Sequence, residues 1–560
     1  MNQESAGHCL ANESSFKVES LPFSSIPNQS KLFLAYQSDP LSLKKFYPTI
    51  VSSHTEIPQN IPDVLANYQT DREALCDALL EINESFGGGA ETLENIRLLR
   101  EADCVTVVTG QQAGLFSGAI YTIYKALSAV KLASCLRSRG QKAVPVFWIA
   151  EEDHDFDEVK RTFALDPQSK LIGLENTPQS YATDLPVGAV VLDETIDETV
   201  GEFFRSATDT EFSDELKTIL NESYRAGESY STSFARFLTT VFAKYGLIIL
   251  SPLDHRLKKL SAPVFAEAVE QSDEIREKLL ARDAELKSEG FSPQVLVEED
   301  FFPFFWIDEN GRRQALKKKK DGKIHAKATG RAFDLETLVK IALETPENLS
   351  PNALLRPVVQ DFLLPTVAYF GGGAEIAYFA QNSVIYEVLE RPVTPILHRQ
   401  SFTVIEPKHA RTLNKYELDF TRLFAGFESV LPGIVEEYLN PQTAKSFAEA
   451  EEIINAQLNR LDQELSAVEP TLAANLATRR RKILYHVGAL RTKFHHAQIR
   501  RDETINRRVE ALFSALLPHK ALQERTVNVL SFLNAYGLYF VDWIYESIDL
   551  DDKGHRIIYL

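Results

Sequence analysis

Four carboxylates and an imidazole stand in a row at Glu151-Glu152-Asp153-His154-Asp155, directly after the apolar run Val144–Ala150. Acids crowded around a histidine at the end of a buried strand shift one another's proton affinities, which suits general acid–base work or cation binding. Asp153, His154 and Asp155 are therefore candidates for moving a proton, and Glu152 for holding a substrate. A solvated loop with helix-capping acids is the alternative. No second histidine lies at ligand spacing, and no metal is expected. A second loaded stretch is Thr109-Gly110-Gln111-Gln112-Ala113-Gly114-Leu115-Phe116-Ser117-Gly118. Gly110, Gly114 and Gly118 allow a tight turn and close approach to a ligand. Gln111 and Gln112 add neutral donors and acceptors. A helix beginning near Ser117 would aim its free N–H groups at the same space, as a carboxylate or phosphate site requires. The stretch is neither a P-loop nor a G-x-G-x-x-G fingerprint, and a purely structural turn is the alternative.

Three further clusters follow. Asn352, Arg356, Gln360 and Asp361 recur at helix-like offsets, with Pro357 expected to interrupt a regular helix. Arg356 could grip a carboxylate with two parallel hydrogen bonds; a structural Arg–Asp pair is the competing reading. Gly371-Gly372-Gly373 precedes Glu375 and Tyr378, and Glu375 would sit near a helix N-terminus. His398-Arg399-Gln400-Ser401 forms another polar group at a strand end, with Arg399 a binding candidate. Tyr121 and Trp148, beside the first two clusters, complete the candidate set.

These residues need a frame. The β-branched run Val105–Val108 predicts a buried strand, residues 117–139 a helix closed by Gly140, and Val144–Ala150 a second strand. Strand, helix and strand at this spacing make a βαβ unit with parallel strands, whose ligands bind beyond the strands' carboxyl ends. Upstream, residues 61–84 and a stretch around Leu93–Leu99 predict two helices. Over 160–350, short apolar runs such as Val187–Leu192 and Leu247–Leu250 alternate with amphipathic stretches, and the region reads as a further strand of the central sheet plus an inserted or connecting subdomain. Leu296–Ile307 and Arg313–Ile324 predict a β-hairpin. The basic run Lys317–Lys320, with Arg312, Arg313 and Lys323, reads as its solvated tip. Val367–Phe370, a helix around 376–389 and Val393–Leu397 return to the sheet. From 445, Ile454, Leu458, Leu461, Leu465, Val468 and Leu472, and then Ile483, Val487, Leu490 and Phe494, keep a four-three seam. Pro470 is expected to open the second of two long antiparallel helices. Val527–Ile544 should pack back on the main body, and Ile557–Leu560 should form a last strand.

A chain of 560 residues exceeds one ordinary core, so several packed units are expected. The division expected is a Rossmann-like core over 1–160 and 351–440, core strands with an inserted subdomain over 161–350, a coiled coil over 441–518 and a returning segment over 519–560. The net charge of -19, from 60 basic and 79 acidic residues, argues against a broad nucleic-acid surface. No window approaches a membrane span, no signal peptide is visible, and the four cysteines lack C-x-x-C spacing. Reduced thiols in a cytoplasmic protein are the expectation.

Four long stretches, VVTGQQAGLFSGAIYTIYKA, VPVFWIAEEDHDFDEV, LSPNALLRPVVQDFLLPTVAYFGGGAEIAYFAQ and RPVTPILHRQSFTVIE, occur in that order. Together they resemble the cysteine-adding enzymes of bacillithiol biosynthesis, the BshC family. Two positions depart from the family's pattern: Ala119 and Gly373-Ala374 stand where Pro and Pro-Gly are usual. The resemblance implies an α/β fold with a Rossmann-like, nucleotidylyltransferase-like parallel sheet, connecting-peptide insertions and an antiparallel coiled coil that builds a homodimer. It also implies the addition of L-cysteine to glucosaminyl-malate through an amide bond. Amide formation in water is uphill, so ATP, released as AMP or ADP, is the simplest activator. Gly110, Gln111, Gln112, Gly114 and Gly118 would then hold a carboxylate or phosphate, and Arg356 malate or the cysteine carboxylate. Another ATP-dependent ligase or nucleotidylyltransferase on the same core is the alternative, as is a non-catalytic dimeric scaffold.

Overall fold

A computed structural model describes residues 16–439, 441–501 and 503–560. Its chain divides into two compact units: residues up to 167, 171–404 and 523–558 in the first, and 168–170, 405–522 and 559–560 in the second.

The first unit is built on a parallel sheet of β1 (Val105–Gln111), β2 (Ala143–Ile149), β3 (Ile248–Leu250), β4 (Thr366–Gly371) and β5 (Ile396–His398). Their spatial order is β5-β4-β1-β2-β3, so the direction of winding reverses between β1 and β4. That reversal opens a crevice beyond the carboxyl ends of the two central strands. The strands are apolar nearly throughout because helices cover both faces, and β2 is buried along its whole length. Helix α1 (Tyr121–Ser138) connects β1 to β2, and α2 (His255–Glu270) follows β3. The first of these is buried on almost every side, which explains its weak apolar periodicity. Both edges of the sheet are closed by side chains. Asn83 donates to the Ile249 carbonyl and accepts from its N–H, both at 2.9 Å, imitating a neighbouring strand along β3. The Tyr36 hydroxyl donates to the Ile396 carbonyl of β5 at 2.7 Å.

Most predicted elements are present with shifted ends. The 61–84 helix is two helices, Ile61–Asn67 and Arg72–Ser85. The further strand expected for the central sheet is β3, from the run at 247–250, whereas the run at 187–192 opens as a 3₁₀ turn, Val187–Ala189. The expected hairpin pairs Phe301–Ile307 with Arg313–Lys318 inside a five-stranded antiparallel sheet. Arg313 is no part of a solvated tip: it opens the second strand and is buried. The far edge of that sheet, Leu349–Pro351, leads directly into helix α3 (Arg356–Leu363). Pro357 does not interrupt α3. It lies in the first turn, where no backbone donor is needed, so Arg356 and Gln360 stand one turn apart on the same face. Helix α4 (Gly373–Val388) joins β4 to β5. Cys76 and Cys104 are free and buried. Cys135 is disulfide-bonded, which departs from the expectation of reduced thiols; Cys9 lies outside the described residues.

In the second unit, α5 (Pro441–Val468) and α6 (Pro470–Arg501) form the helical pair, and α7 (Glu503–Leu516) continues from it. Arg480 donates to Asn455 and Asn459 across the pair, and Phe447 meets Phe494. The seam on α6 is rotated from the one predicted. Leu484 and Val487 are half-buried, whereas Ile483 and Leu490 are exposed. A compact core forms where Ile505 and Val509 of α7 meet Tyr416, Val430, Leu431 and Ile434. Among the described residues no helix is long and apolar enough to cross a membrane.

The approach of β1 to its neighbour β2 at the crevice is tight. A Cβ on Gly110 would lie 2.7 Å from the Trp148 carbonyl oxygen and 3.2 Å from the Trp148 Cβ. Gly110→Ala is expected to destabilise the first unit by about 1–3 kcal/mol, as overpacking does. Urea unfolding checks this, and an unchanged midpoint would remove the argument for a close approach.

Candidate functional site

Two cavities open at the carboxyl edge of the sheet and share Trp148, Ala150, Asp153 and Arg356. One, of about 400 Å³, lies at the reversal between β1 and β4 and is polar. The other, of about 420 Å³, is walled by Phe301, Phe302, Phe304 and Phe305 of the inserted antiparallel sheet. They form one cleft with a polar and an aromatic lobe.

The polar lobe is organised by a buried ion pair. Lys125, one turn along α1 from Tyr121, forms a salt bridge with Glu375 in the first turn of α4. Lys125 also donates to the Gly110 carbonyl and to Gln111 Oε1, both at 2.9 Å. Glu375 accepts from the Tyr369 hydroxyl and from the Gly372 N–H, both at 2.7 Å. Burial opposes ionisation of Glu375, but the Lys125 charge and these donors outweigh it and hold the carboxyl below its ordinary value. Burial pulls the Lys125 ammonium down while Glu375 holds it up. Gln111 donates its remaining amide to the Tyr121 hydroxyl at 3.1 Å.

Arg356 stands where the lobes meet. It donates to Gln360 Oε1 at 3.0 Å and to the Tyr378 hydroxyl at 3.2 Å, and it faces the rings of Trp148 and Tyr369. Among the described residues no carboxylate lies within ion-pair reach of it. The indole N–H of Trp148, a buried residue lining both lobes, likewise has no protein acceptor. Asp153 accepts from Gln112 Nε2 at 2.7 Å, from the His154 N–H at 2.8 Å and from Arg313 at 3.4 Å. Arg313 also reaches His154 Nδ1 at 3.2 Å and lies 3.7 Å over the Phe305 ring. A guanidinium only donates, so His154 Nδ1 must be the acceptor there, leaving any imidazole proton on Nε2. Glu152 is spent on Lys258, which also donates to the Leu349 carbonyl at 2.8 Å.

Several expected site residues do other work. Thr109 donates to the Phe370 carbonyl at 2.8 Å and joins β1 to β4. Gly114 and Gly118 build the turn: a Cβ on Gly114 would lie 2.9 Å from the Gly118 Cα, and Gly118 has φ +69°. The loop does not aim a helix end at the ligand space. Helix α1 starts only at Tyr121, and the Ile120 N–H goes to the Val527 carbonyl. The helix N-terminus that lines the polar lobe is that of α4, at Gly372, Gly373 and Ala374. Asp155 is exposed and lies outside both lobes. Asn352 borders the aromatic lobe but caps the next turn, accepting from the Leu354 and Leu355 N–H groups. Gln360 is buried behind Arg356. Asp361 faces away from the cleft, where it takes the Tyr386 hydroxyl at 2.5 Å and burial raises its pKa. Gly371 packs against Glu375 and Ile396.

Arg399 lines the polar lobe over the Tyr121 ring, but its charge is already matched by buried Glu524 at 2.7 and 2.9 Å. Glu524 also accepts from the Ser401 hydroxyl at 2.7 Å and the Phe402 N–H at 3.0 Å. Burial works against this carboxylate, yet Arg399 and the other donors bring its pKa down to about 2. Behind it, His555 is fully buried between Ser401 and Thr403, and burial lowers its pKa to about 4. Lys125, Arg313, Tyr369, Glu524 and Arg525 are the lining or supporting residues that the sequence reading missed. Among the described residues no three His, Cys, Asp or Glu side chains converge as a metal set would.

Residues 16–400 match the family described as the bacillithiol biosynthesis BshC N-terminal Rossmann-like domain, and residues 402–560 the BshC C-terminal coiled-coil domain. A relative from Koribacter versatilis is 34% identical over 541 residues, covering 96% of this chain and 99% of that protein. Relatives from Solibacter usitatus and Salinibacter ruber are 36% and 31% identical, covering 82% and 94% of this chain and 85% and 96% of their own lengths. All three bear the name "Putative cysteine ligase BshC".

The buried histidine gives a pH test. An unfolded histidine protonates near pH 6.5, whereas folded His555 resists protonation down to about 4, so the unfolded state binds more protons between those values. Stability should therefore fall as pH drops from 6.5 towards 4, by at most about 1.4 kcal/mol per pH unit from this residue. His555→Gln should flatten that slope in urea titrations. An unaltered slope would show that His555 is not buried neutral.

Proposed function

The chain belongs to the BshC family of bacillithiol biosynthesis, and on that premise we propose that it is a ligase joining the carboxyl group of L-cysteine to the amine of glucosaminyl-malate, the closing step in making that thiol. The observation that carries the reading is Arg356. It is a guanidinium at the junction of two lobes that no carboxylate among the described residues neutralises, beside an indole donor that is also unmatched among them. A half-buried cation left in that state calls for an anionic ligand, and a planar carboxylate fits its fork.

In this reading the polar lobe takes the malyl carboxylates. Arg356 and the first-turn N–H groups of α4 supply the donors there. The amine and the acyl carbon then meet beside Asp153, because its carboxylate borders both lobes. Asp153 receives the proton that the amine sheds as the carbon–nitrogen bond forms and the carbon–oxygen bond of the cysteine carboxyl breaks, its oxygen leaving as water from the free acid or with the phosphate group of an activated one. Gln112 and Arg313 fix its two oxygens. His154 serves better as a donor than as the base, since its Nδ1 lone pair faces Arg313. Should ATP activate the cysteine carboxyl, its phosphates would use these same donors, Arg356 and the α4 N-terminus, together with the exposed Arg525, in a step that precedes entry of the malyl group. The reaction belongs to a cytoplasmic enzyme, and the exposed apolar side chains Val468 and Leu472, at the join of the two long helices, and Leu490 further along the second suit a second copy in a homodimer.

Asp153→Asn should lower kcat about 10²–10⁴-fold. Arg356→Lys should raise KM for glucosaminyl-malate about tenfold or more, the order expected for losing a charge-assisted hydrogen bond. Product formation from labelled cysteine, with AMP and ADP measured alongside, reads both. Wild-type rates in both variants would sink the assignment, and the nucleotide released, or its absence, decides the activation step.

A further inference from the structure

The cleft is completed by a stretch of chain that follows the helical unit. The sequence pattern of residues 402–560 is that of the coiled-coil domain, yet residues 523–558 belong to the same compact unit as the central sheet. The start of this returning segment is fixed at several points in succession. Gln523 pairs with the Val404 backbone through both amide atoms, at 2.8 and 3.0 Å. Glu524 is buried on Arg399. Asn528 donates to the carbonyls of Phe116 and Gly118 at 2.9 and 2.6 Å, which ties the segment to the glycine turn after β1. Between these anchors stands Arg525, exposed, lining the polar lobe, and without an ion-pair partner among the described residues.

The charges around the lobe show what Arg525 is available for. Lys125 is matched by Glu375, Arg399 by Glu524, and Asp153 by Arg313. Among the described residues lining the lobe, Arg356 and Arg525 remain, opposed by the exposed Glu158. Two unmatched guanidinium groups and a helix N-terminus select a ligand carrying more than one negative charge, a dicarboxylate or a phosphate.

We propose that Arg525 is a substrate-binding residue that grips the anionic group in the polar lobe together with Arg356, and that Glu524 is the positioning residue that sets it there by clamping Arg399. The proposal rests on the reading of this cleft as the substrate site. It adds that the Rossmann-like region alone does not hold the whole site. Removing Glu524 would free the backbone next to Arg525 and strand Arg399 as a buried, unpaired charge.

The test is calorimetric titration of the full-length protein with L-malate and, separately, with ADP, independent of turnover. Arg525→Ala, an exposed change that leaves the fold intact, should weaken one of the two anions by about tenfold or more, and Arg525→Lys by less. Whichever anion responds identifies the source of the charge. Glu524→Gln should weaken the same anion. The double variant Glu524→Gln/Arg525→Ala should be no weaker than Arg525→Ala alone, because Glu524 acts through Arg525. Full additivity would overturn the positioning role. If Glu524→Gln does not fold, the two Arg525 variants still decide the binding role. Unchanged affinity in Arg525→Ala, or a wild type that binds neither anion, overturns the proposal. Loss of binding in a protein that makes no cysteine-containing product would leave it standing and discard the ligase reading instead.

Discussion

The site hangs on two opposite charges buried together where the winding of the sheet reverses. Lys125 comes from the helix after β1 and Glu375 from the helix after β4. The central strands are neighbours, but nothing in a parallel sheet fixes how the helices following them are aimed at the crevice. The ion pair does so. Each partner is also held by groups of its own strand region, Lys125 by Gly110 and Gln111 and Glu375 by Tyr369 and Gly372. Loss of either charge would leave the other uncompensated, at a cost of roughly 3–5 kcal/mol. Because the pair is neutral in sum, it positions the walls of the polar lobe while leaving the unmatched cation at Arg356 to dominate.

The second wall has a different origin. The aromatic lobe is made by an antiparallel sheet inserted between β3 and β4, whose strand Arg313–Lys318 carries a guanidinium back to Asp153 and His154. Its edge strand Leu349–Pro351 then delivers the chain into α3, so Arg313 and Arg356 are set by one piece of architecture. The insertion both separates the lobes and specifies the junction.

The parallel sheet was legible in the sequence because buried strands are apolar runs bounded by glycines, and β1, β2 and β4 have that form. The polar clusters at their ends were legible too, and Gln111, Gln112, Asp153, Arg356, Glu375 and Tyr378 do meet in the cleft. What the sequence hid was partnership. Arg399 looked like a ligand cation because Glu524 lies far along the chain. Asp361 looked like part of the Arg356 cluster, but adjacent residues at a helix turn face different sides, and it points elsewhere. Lys125 sat unnoticed in an apolar helix, where a long stem reads as surface. Arg313 was disguised by the lysines after it, since a strand alternates faces and its first residue turned inward. The glycine turn after β1 invited the idea of an anion site at the next helix, yet that helix starts four residues late and the Ile120 N–H before it goes to Val527.

The returning segment also sets a timetable for biosynthesis. Every strand of the central sheet has been translated by His398, but Gln523, Glu524 and Asn528, which close the unit, follow only after the helical pair. At ordinary elongation rates that interval is on the order of ten seconds. During it Arg399 waits without its counter-charge and the turn at Phe116–Gly118 without its brace. A nascent chain thus holds its sheet before it holds its cleft, and a chain released early from the ribosome carries the fold's frame with no finished place for a substrate.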